Sequence, residues 1–211
     1  AFRRAGIAPS IVLDLACGTG TLTAELARRG YDMIGADASE AMLARAAVKA
    51  PGVLWLHQRA EELDLYGTVD ACTCSLDAVN YLTDERRLRE ALRRVALFLV
   101  PGGVFLFDAL TPAQEALVAD ASFIRECADA TCIQTESAAD GCLEHRVTLF
   151  IRGRDGRYAR VTELHRERMY TPELLRRALL DAGFSRVEVF SPGGFEPLPA
   201  DAPRAAFAAY R

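Results

Sequence analysis

A short run near the start of the chain, residues 11–22, constrains the fold more than any other part of the sequence. Residues 11–15 are apolar except for Asp14, as expected of a central parallel strand covered on both faces. Gly18 and Gly20 follow at once, and glycine permits both a left-handed turn and the close approach of a ligand. The helix predicted to begin at Thr21 presents free N–H groups at the same turn. The run therefore predicts a strand, a glycine turn and a helix that form a ligand-binding edge.

The size and composition of the chain exclude several classes of protein. The 211 residues are 51% hydrophobic, so a single domain over residues 1–211 is expected. A net charge of −4 argues against nucleic-acid binding. The 6 cysteines form no CxxC motif and no histidine pair has zinc-like spacing, so no metal site is expected. Without a signal peptide or a long apolar run, we expect a cytoplasmic protein with no membrane partner.

The first half of the chain alternates predicted strands and helices. A helix is expected between Ser39 and Pro51-Gly52, and a longer one from a Thr83 cap to about residue 99. Strands are expected over residues 11–15, 31–36, 53–57, 69–74 and, after Pro101-Gly102-Gly103, 104–107. This alternation with short loops predicts an α/β fold with a doubly wound, mostly parallel sheet.

The second half begins with hairpins. After a short helix at Thr111-Pro112, strand-like segments joined by Asp-Gly turns predict an inserted antiparallel flap over about residues 120–168. The segments cover residues 122–127, 131–138, 142–152 and 157–168. A helix from Thr171 to Gly183 and two strands, over residues 186–191 and 204–210, complete the chain.

The glycine turn is compatible with two kinds of nucleotide ligand. A nicotinamide site favours a third glycine where this chain has Thr23, and it binds a pyrophosphate that Asp14 would repel. A carboxylate at this turn can instead hold an amine. Asp37, at the end of the second predicted strand, can chelate both ribose hydroxyls, although a cap of the next helix is an alternative role. A zwitterionic ligand without phosphate fits this pattern better.

Four segments in order resemble the motifs of the class I methyltransferases that depend on S-adenosylmethionine (SAM). The segments are residues 13–20, 35–39, 69–75 and 99–103. The resemblance implies a seven-stranded Rossmann-like sheet of order 3-2-1-4-5-7-6, with strand 7 antiparallel. It also implies SAM as the methyl donor and S-adenosylhomocysteine as the product.

A closer resemblance is to small bacterial methyltransferases with an inserted antiparallel sheet, which are similar in layout to sugar N-methyltransferases. It rests on D-x-x-N-Y at residues 77–81, F-D at 107–108 and H-x-x-R-x-Y at 165–170. The implied activity is transfer of a methyl group to an O or N atom of a small molecule. A homodimer is compatible with the sequence.

The resemblance also implies roles for individual residues. Asp14 would orient the methionine amino group, and Asp37 would hold the ribose. The family usually has an aspartate at the position of Arg59, which cannot accept a hydrogen bond from adenine, so Gln58, Glu61 or backbone is expected to do so. The full set of expected cofactor contacts is Asp14, Ala16, Cys17, Gly18, Gly20, Asp37, Ala38, Met42, Ala60, Glu61 and Ser75.

The acceptor is expected at the carboxyl ends of the strands, where ligands of open α/β sheets bind. Asp108 or His165 is the expected general base. The expected acceptor contacts are Asp77, Asn80, Tyr81 and Tyr170. The alternatives are structural: Asp77 as a helix cap, His165 as an ordinary strand residue, and the tyrosines as buried supports.

Two other functions are compatible with the sequence. One is a SAM-binding module without independent transferase activity, because only about ten residues precede the first predicted strand, where proteins of this layout usually have a covering helix. The other is a nicotinamide-dependent oxidoreductase on a similar sheet. Nucleic acid is a poor substrate, because Ser75-Leu76-Asp77 replaces the Pro-Pro loop that positions a base amino group.

Overall fold

The computed structural model describes residues 2–118 and 122–211, so that residues 120 and 121, the start of the predicted insertion, lie outside the description. The helices are α1 (Thr21–Arg28), α2 (Glu40–Lys49), α3 (Glu85–Phe98) and α4 (Pro172–Ala182), with short 3₁₀ helices at Ala60–Glu62, Ala78–Tyr81 and Pro112–Leu117. The strands are β1 (Ile11–Leu15), β2 (Asp32–Asp37), β3 (Leu54–His57), β4 (Val69–Cys74), β5 (Leu99–Leu110), β6 (Ser122–Cys127), β7 (Ala130–Ala139), β8 (Cys142–Arg152), β9 (Tyr158–Arg168), β10 (Arg186–Phe190) and β11 (Arg204–Tyr210).

The larger sheet has 7 strands in the order β3-β2-β1-β4-β5-β11-β10. Strands β1 to β5 pair in parallel, and β11 runs antiparallel between β5 and β10. The predicted order and the antiparallel seventh strand are therefore confirmed. The central strand β1 is buried along nearly its whole length, which explains its apolar sequence.

Two predicted boundaries are wrong. Helix α3 is capped by Asp84 and not by Thr83, because the Asp84 carboxylate accepts the backbone N–H of Arg86. Strand β5 begins at Leu99 and continues to Leu110, well beyond the predicted 104–107. Its pairing with β4 shifts register at Pro101-Gly102-Gly103, so this segment is an irregularity within the strand and does not precede it.

The predicted antiparallel flap is a separate sheet of 4 strands in the order β6-β7-β8-β9. It is attached to the larger sheet by a small apolar cluster formed by Leu110, Val118, Leu143 and Met169. The backbone N–H of Tyr170 also donates to the carbonyl of Leu110. The flap therefore lies against the end of β5. Among the described helices, none is both long and apolar enough to cross a membrane.

The direction of the strands decides which side chains meet at the site. Strands β1, β2, β4 and β5 are parallel, so their carboxyl ends share one edge of the sheet. Because β11 is antiparallel, its first residue, Arg204, pairs with Leu110 at that same edge. The edge therefore combines strand-end loops, the start of β11 and the flap.

Candidate functional site

A cavity of about 760 Å³ opens at the carboxyl edge of the larger sheet. Its volume lies in the usual range for small-molecule sites, roughly 300–1,000 Å³. The loops after β1, β2 and β4 line it, together with residues 58–61, one face of α3 and two side chains at the flap, Tyr81 and His165.

The glycine turn forms one wall of the cavity. Ala16 and Gly18 line it in the left-handed backbone region, with φ of 55° at each. Gly20 does not line it, contrary to the expectation from the motif. A side chain at Gly20 would lie 2.5 Å from the Trp55 ring and 2.9 Å from the Ala46 methyl group. Gly20 is therefore required for helix and strand packing and not for contact with a ligand.

Asp14 forms the floor of the cavity and is only 3% exposed. Thr23 donates its hydroxyl to one carboxylate oxygen at 2.5 Å, and Thr73 donates to the other at 2.9 Å. Burial raises the pKa of Asp14, while the two threonine hydrogen bonds lower it less. The predicted buried carboxylate is present, and Thr23, at the position of the missing third glycine, is one of its two partners.

Asp37 lies at the end of β2, where it organises two loops. Its carboxylate accepts the backbone N–H groups of Gly18 and Ser39, each at 2.8 Å. Each carboxylate oxygen keeps a second lone pair for a ligand. The neighbouring Cys17 thiol also lines the cavity, and burial together with the charges of Asp14 and Asp37 raises its pKa to about 12. The thiol is therefore protonated and unsuited to be a nucleophile.

The expected adenine side of the cavity is lined by Ala38, Met42, Ala60 and Glu61. Burial opposes ionisation of Glu61, but its own backbone N–H and the guanidinium groups of Arg87 and Arg59 outweigh burial, and its pKa is lowered. The Gln58 amide is hydrogen-bonded at both ends to the backbone of Asp64. Of the expected acceptors for an adenine amino group, Glu61 and backbone are therefore better placed than Gln58.

The loop after β4 carries Ser75 into the cavity wall and then turns sharply. Leu76 and Asp77 both have positive φ, 60° and 54°, a strained conformation for residues other than glycine. Asp108 accepts both of their backbone N–H groups and pairs with Arg204, which also bonds to Asp77 at 2.9 Å. Asp77 and Asp108 are thus parts of an ion-pair clamp that fixes this loop. Neither side chain lines the cavity, and their expected roles as acceptor contact and general base stay predictions.

Asn80 and Tyr170 are also structural, contrary to their expected contact with the acceptor. Asn80 is fully buried, donates to the carbonyls of Leu110 and Arg168, and accepts the N–H of Leu110. It thereby joins the 3₁₀ helix Ala78–Tyr81 to β5 and β9. Tyr170 is 2% exposed and donates its hydroxyl to the carbonyl of Leu82. Neither side chain lines the cavity.

Tyr81 and His165 are brought together at the flap end of the cavity, as the sequence predicts for acceptor-site residues. The Tyr81 hydroxyl lies 3.1 Å from Nδ1 of His165, and the two rings meet edge to face. The other ring nitrogen of His165 is 3.4 Å from the Glu163 carboxylate. Both side chains line the cavity.

A second polar cluster lies behind this pair and was not predicted from the sequence. It consists of Glu136, His145 and Glu167, on β7, β8 and β9. Nδ1 of His145 is 3.0 Å from Glu136, and Nε2 is 3.7 Å from Glu167. Alternation along β9 places Glu163, His165 and Glu167 on one face, and this pattern could have pointed to the cluster.

Glu167 makes stability depend on pH. Burial raises its pKa to about 7, the charge of Asp77 adds to this, and the Tyr81 hydroxyl and Arg204 oppose it. Its pKa in the unfolded chain is near 4.3, so between about pH 4.3 and 7 the folded state holds a proton that the unfolded state has lost. The contribution of Glu167 to the free energy of unfolding therefore falls as pH rises through this window.

We expect Glu167→Gln to flatten this part of the stability profile. The variant should gain about 2–3 kcal/mol relative to the wild type between pH 4.5 and pH 8, because glutamine does not ionise. Urea unfolding at a series of pH values measures the difference. Glu144→Gln, at a half-exposed position on β8, is the matched control and should change the slope little. Parallel profiles for wild type and Glu167→Gln would contradict the raised pKa.

In the described ranges 2–118 and 122–211, no group of three or more His, Cys, Asp or Glu side chains is arranged to hold a metal ion.

The architecture and the sequence are similar to those of known proteins. A family described as a methyltransferase domain matches residues 12–103. A Geobacillus protein named "Putative methyltransferase GWCH70_2453" is 34% identical over 84% of this chain and 75% of its own length. A dTDP-3-amino-3,6-dideoxy-alpha-D-glucopyranose N,N-dimethyltransferase of Streptomyces fradiae is 29% identical over 87% of this chain and 72% of its own length.

A solved structure has the same fold. It is a S-adenosylmethionine-dependent methyltransferase from Clostridium acetobutylicum, with a TM-score of 0.89 and 24% identity, covering 99% of this chain and 86% of its own. Strand order, glycine turn and sequence similarity agree. The chain belongs to the class I methyltransferases that use S-adenosylmethionine.

Proposed function

We propose that the chain transfers a methyl group from SAM to a nitrogen or oxygen atom of a small molecule bound beneath the flap. The observation that carries the proposal is one continuous cavity. It runs from the Asp37 carboxylate, past the Asp14 floor, to the Tyr81 and His165 pair. Such a cavity can place a methyl donor and an acceptor end to end.

The residues at the ends of β1 and β2 fit the cofactor. Asp37 has free lone pairs for two ribose hydroxyls, while Ala38 and Met42 offer apolar surface for the adenine. The buried Asp14 carboxylate favours a cationic group above it. SAM supplies its methyl group on a sulfonium, which is already an activated leaving group. The protein mainly has to align the reactants, which is worth up to roughly 7–11 kcal/mol in well-oriented systems.

The acceptor end of the cavity also carries side chains that can accept a proton from the methyl acceptor. Tyr81 and His165 are the polar side chains that reach the cavity from the flap end, and His165 is the better base because Asp108 is engaged by Arg204. The Streptomyces fradiae relative acts on an amino sugar by name. That likeness supports an amine or a hydroxyl group on a small molecule as the acceptor.

Three further features belong to the same proposal. The chain is one methyltransferase domain over residues 1–211, with an inserted antiparallel subdomain over about residues 120–168. It acts in the cytoplasm on a soluble small molecule, and no nucleic acid or membrane takes part. A homodimer is compatible with this arrangement.

Calorimetric titration with S-adenosylhomocysteine tests the cofactor site. We expect one site per chain with an affinity in the micromolar range, similar to common enzyme ligands. NADH in the same titration is the control and should give no heat. Absence of S-adenosylhomocysteine binding at high micromolar concentration would overturn the proposal.

Release of S-adenosylhomocysteine from SAM tests the transfer. The protein is incubated with SAM and with panels of small amines, amino sugars and phenols. We expect S-adenosylhomocysteine to be released only when acceptors of one of these classes are present. Tight cofactor binding without release for any class would favour a SAM-binding module over an independent enzyme.

A further inference from the structure

The loop that follows β4 has an unusual backbone conformation at the wall of the cavity. Leu76 and Asp77 lie in succession in the left-handed region, with φ of 60° and 54°. Residues other than glycine rarely adopt this conformation, because the β-carbon crowds the following carbonyl oxygen. Leu76 nevertheless lines the cavity and is 79% exposed. Such a turn persists only where the surrounding structure fixes it.

The ion-pair clamp, which consists of Asp77, Asp108 and Arg204, fixes this turn. The Asp108 carboxylate accepts the backbone N–H of Leu76 at 2.8 Å and that of Asp77 at 3.2 Å. Arg204 donates from one guanidinium nitrogen to Asp108 and from another to Asp77, the latter at 2.9 Å. Each of these hydrogen bonds involves an ionised group, and such bonds are stronger than neutral ones. The turn is thereby tied to the first residue of β11.

The order of the strands decides which part of the cofactor meets this turn. In the proposed function, the ribose lies at Asp37, at the end of β2. Strand β1 and then β4 follow β2 in the sheet, so the cavity continues from Asp37 over Asp14 to the turn. The sulfur and the amino acid chain of SAM extend from the ribose toward the acceptor end of the cavity. The turn therefore borders the part of the cofactor that carries the reacting sulfur.

We propose that Arg204 is a positioning residue for the sulfur and the amino acid chain of SAM. Among the described residues that line the cavity, Arg204 is absent, and it acts by holding Asp77 and Asp108, and through them the turn at Leu76. Without the guanidinium, the two carboxylates repel each other and the turn loses its left-handed conformation. This inference rests on the proposed function of the cavity.

Calorimetric titration with two ligands tests the inference. S-adenosylhomocysteine contains the adenosine, the sulfur and the amino acid chain, whereas methylthioadenosine has a methyl group in place of that chain. We expect Arg204→Gln to weaken binding of S-adenosylhomocysteine by about tenfold or more, and binding of methylthioadenosine by less than about threefold. Arg204→Lys should lose an intermediate part of the affinity for S-adenosylhomocysteine, because an ammonium group cannot reproduce the two-pronged contact of a guanidinium.

Arg186→Gln is the matched control. Arg186 begins β10 in the same sheet and pairs with Glu188 at 3.0 Å. It lies opposite Tyr210, at the far end of β11 from Arg204, and therefore at the edge of the sheet away from the cavity. The substitution removes the same charge, and it should leave the affinity for both ligands unchanged.

The comparison of the two ligands separates this inference from the proposed function. Equal weakening of both ligands in Arg204→Gln would overturn the role of Arg204, since the damage would not be confined to the turn. Unchanged affinity for S-adenosylhomocysteine in that variant would overturn it as well. Should Arg204→Gln fail to fold, Arg204→Lys, which retains the charge, decides by the same two criteria. Binding of S-adenosylhomocysteine to the unaltered chain reports the proposed function independently.

Discussion

Alanine in place of Gly20 is expected to lower the free energy of unfolding by about 2–5 kcal/mol. The left-handed backbone at this residue, with φ of 69°, costs alanine roughly 1–2 kcal/mol, and overpacking of a well-filled core adds roughly 1–3 kcal/mol. The overpacking arises because the new methyl group would lie 2.5 Å from the Trp55 ring and 2.9 Å from the Ala46 side chain. Thermal or urea unfolding without any ligand measures the loss.

Gly30→Ala is the matched control for the backbone contribution. Gly30 has φ of 94°, and a methyl group there would meet no atom within 4 Å. Its substitution should therefore cost only the conformational part, about 1–2 kcal/mol. In a double-mutant cycle, Trp55→Leu should reduce the excess cost of Gly20→Ala. Equal losses for Gly20→Ala and Gly30→Ala would mean that Trp55 yields and that Gly20 is not a packing requirement.

The order of elements follows from the sequence because its signals are local. Caps such as Ser39 and Thr171, the apolar run of β1 and the Asp-Gly turn at residues 140–141 act within a few residues. Even so, neighbouring candidates compete locally: Asp84 and not Thr83 caps α3, because its carboxylate reaches the N–H of Arg86.

Which polar residues face the cavity was harder to predict, because long-range pairing decides it. Asp108 and Arg204 are 96 residues apart, and the antiparallel insertion of β11 brings them together. The D-x-x-N-Y segment alone does not reveal that the amide of Asn80 donates hydrogen bonds to the backbone carbonyls of Leu110 and Arg168. Asn80, which the sequence predicts as an acceptor contact, therefore stabilises the backbone around the site instead.

The partners of Asp14 illustrate the same limit. Asp14 pairs in the parallel ladder with Thr73, and one turn of α1 brings Thr23 to its other oxygen. The contact between Thr73 and Asp14 can be derived once the pairing register of β1 and β4 is known, but the sequence alone does not determine that register. In the sequence, the missing third glycine argues against a pyrophosphate. In the structure, Thr23 has a positive role as well, since its hydroxyl stabilises the buried carboxylate.

The second large effect is expected on cofactor affinity, in Asp37→Ala. Removing two charge-assisted hydrogen bonds to the ribose should weaken binding of S-adenosylhomocysteine by about 2–4 kcal/mol, roughly 30- to 1,000-fold. The glycine turn also loses an anchor, because Asp37 accepts the backbone N–H of Gly18 at 2.8 Å. Calorimetric titration measures the change, and Asp37→Asn should retain part of the affinity, because its amide oxygen still accepts one hydrogen bond.

Asp32→Ala provides the matched control for Asp37→Ala. Asp32 begins the same strand that Asp37 ends, it is exposed, and it lies at the opposite edge of the sheet from the cavity. The two substitutions change the net charge equally, so general electrostatics cannot separate them. We expect near wild-type affinity for Asp32→Ala, and a loss for Asp37→Ala that persists at high salt, because the Asp37 carboxylate is partly buried and salt screens it less. If both variants bind equally well, the ribose is held elsewhere, and Asp37 serves only the loops that it joins.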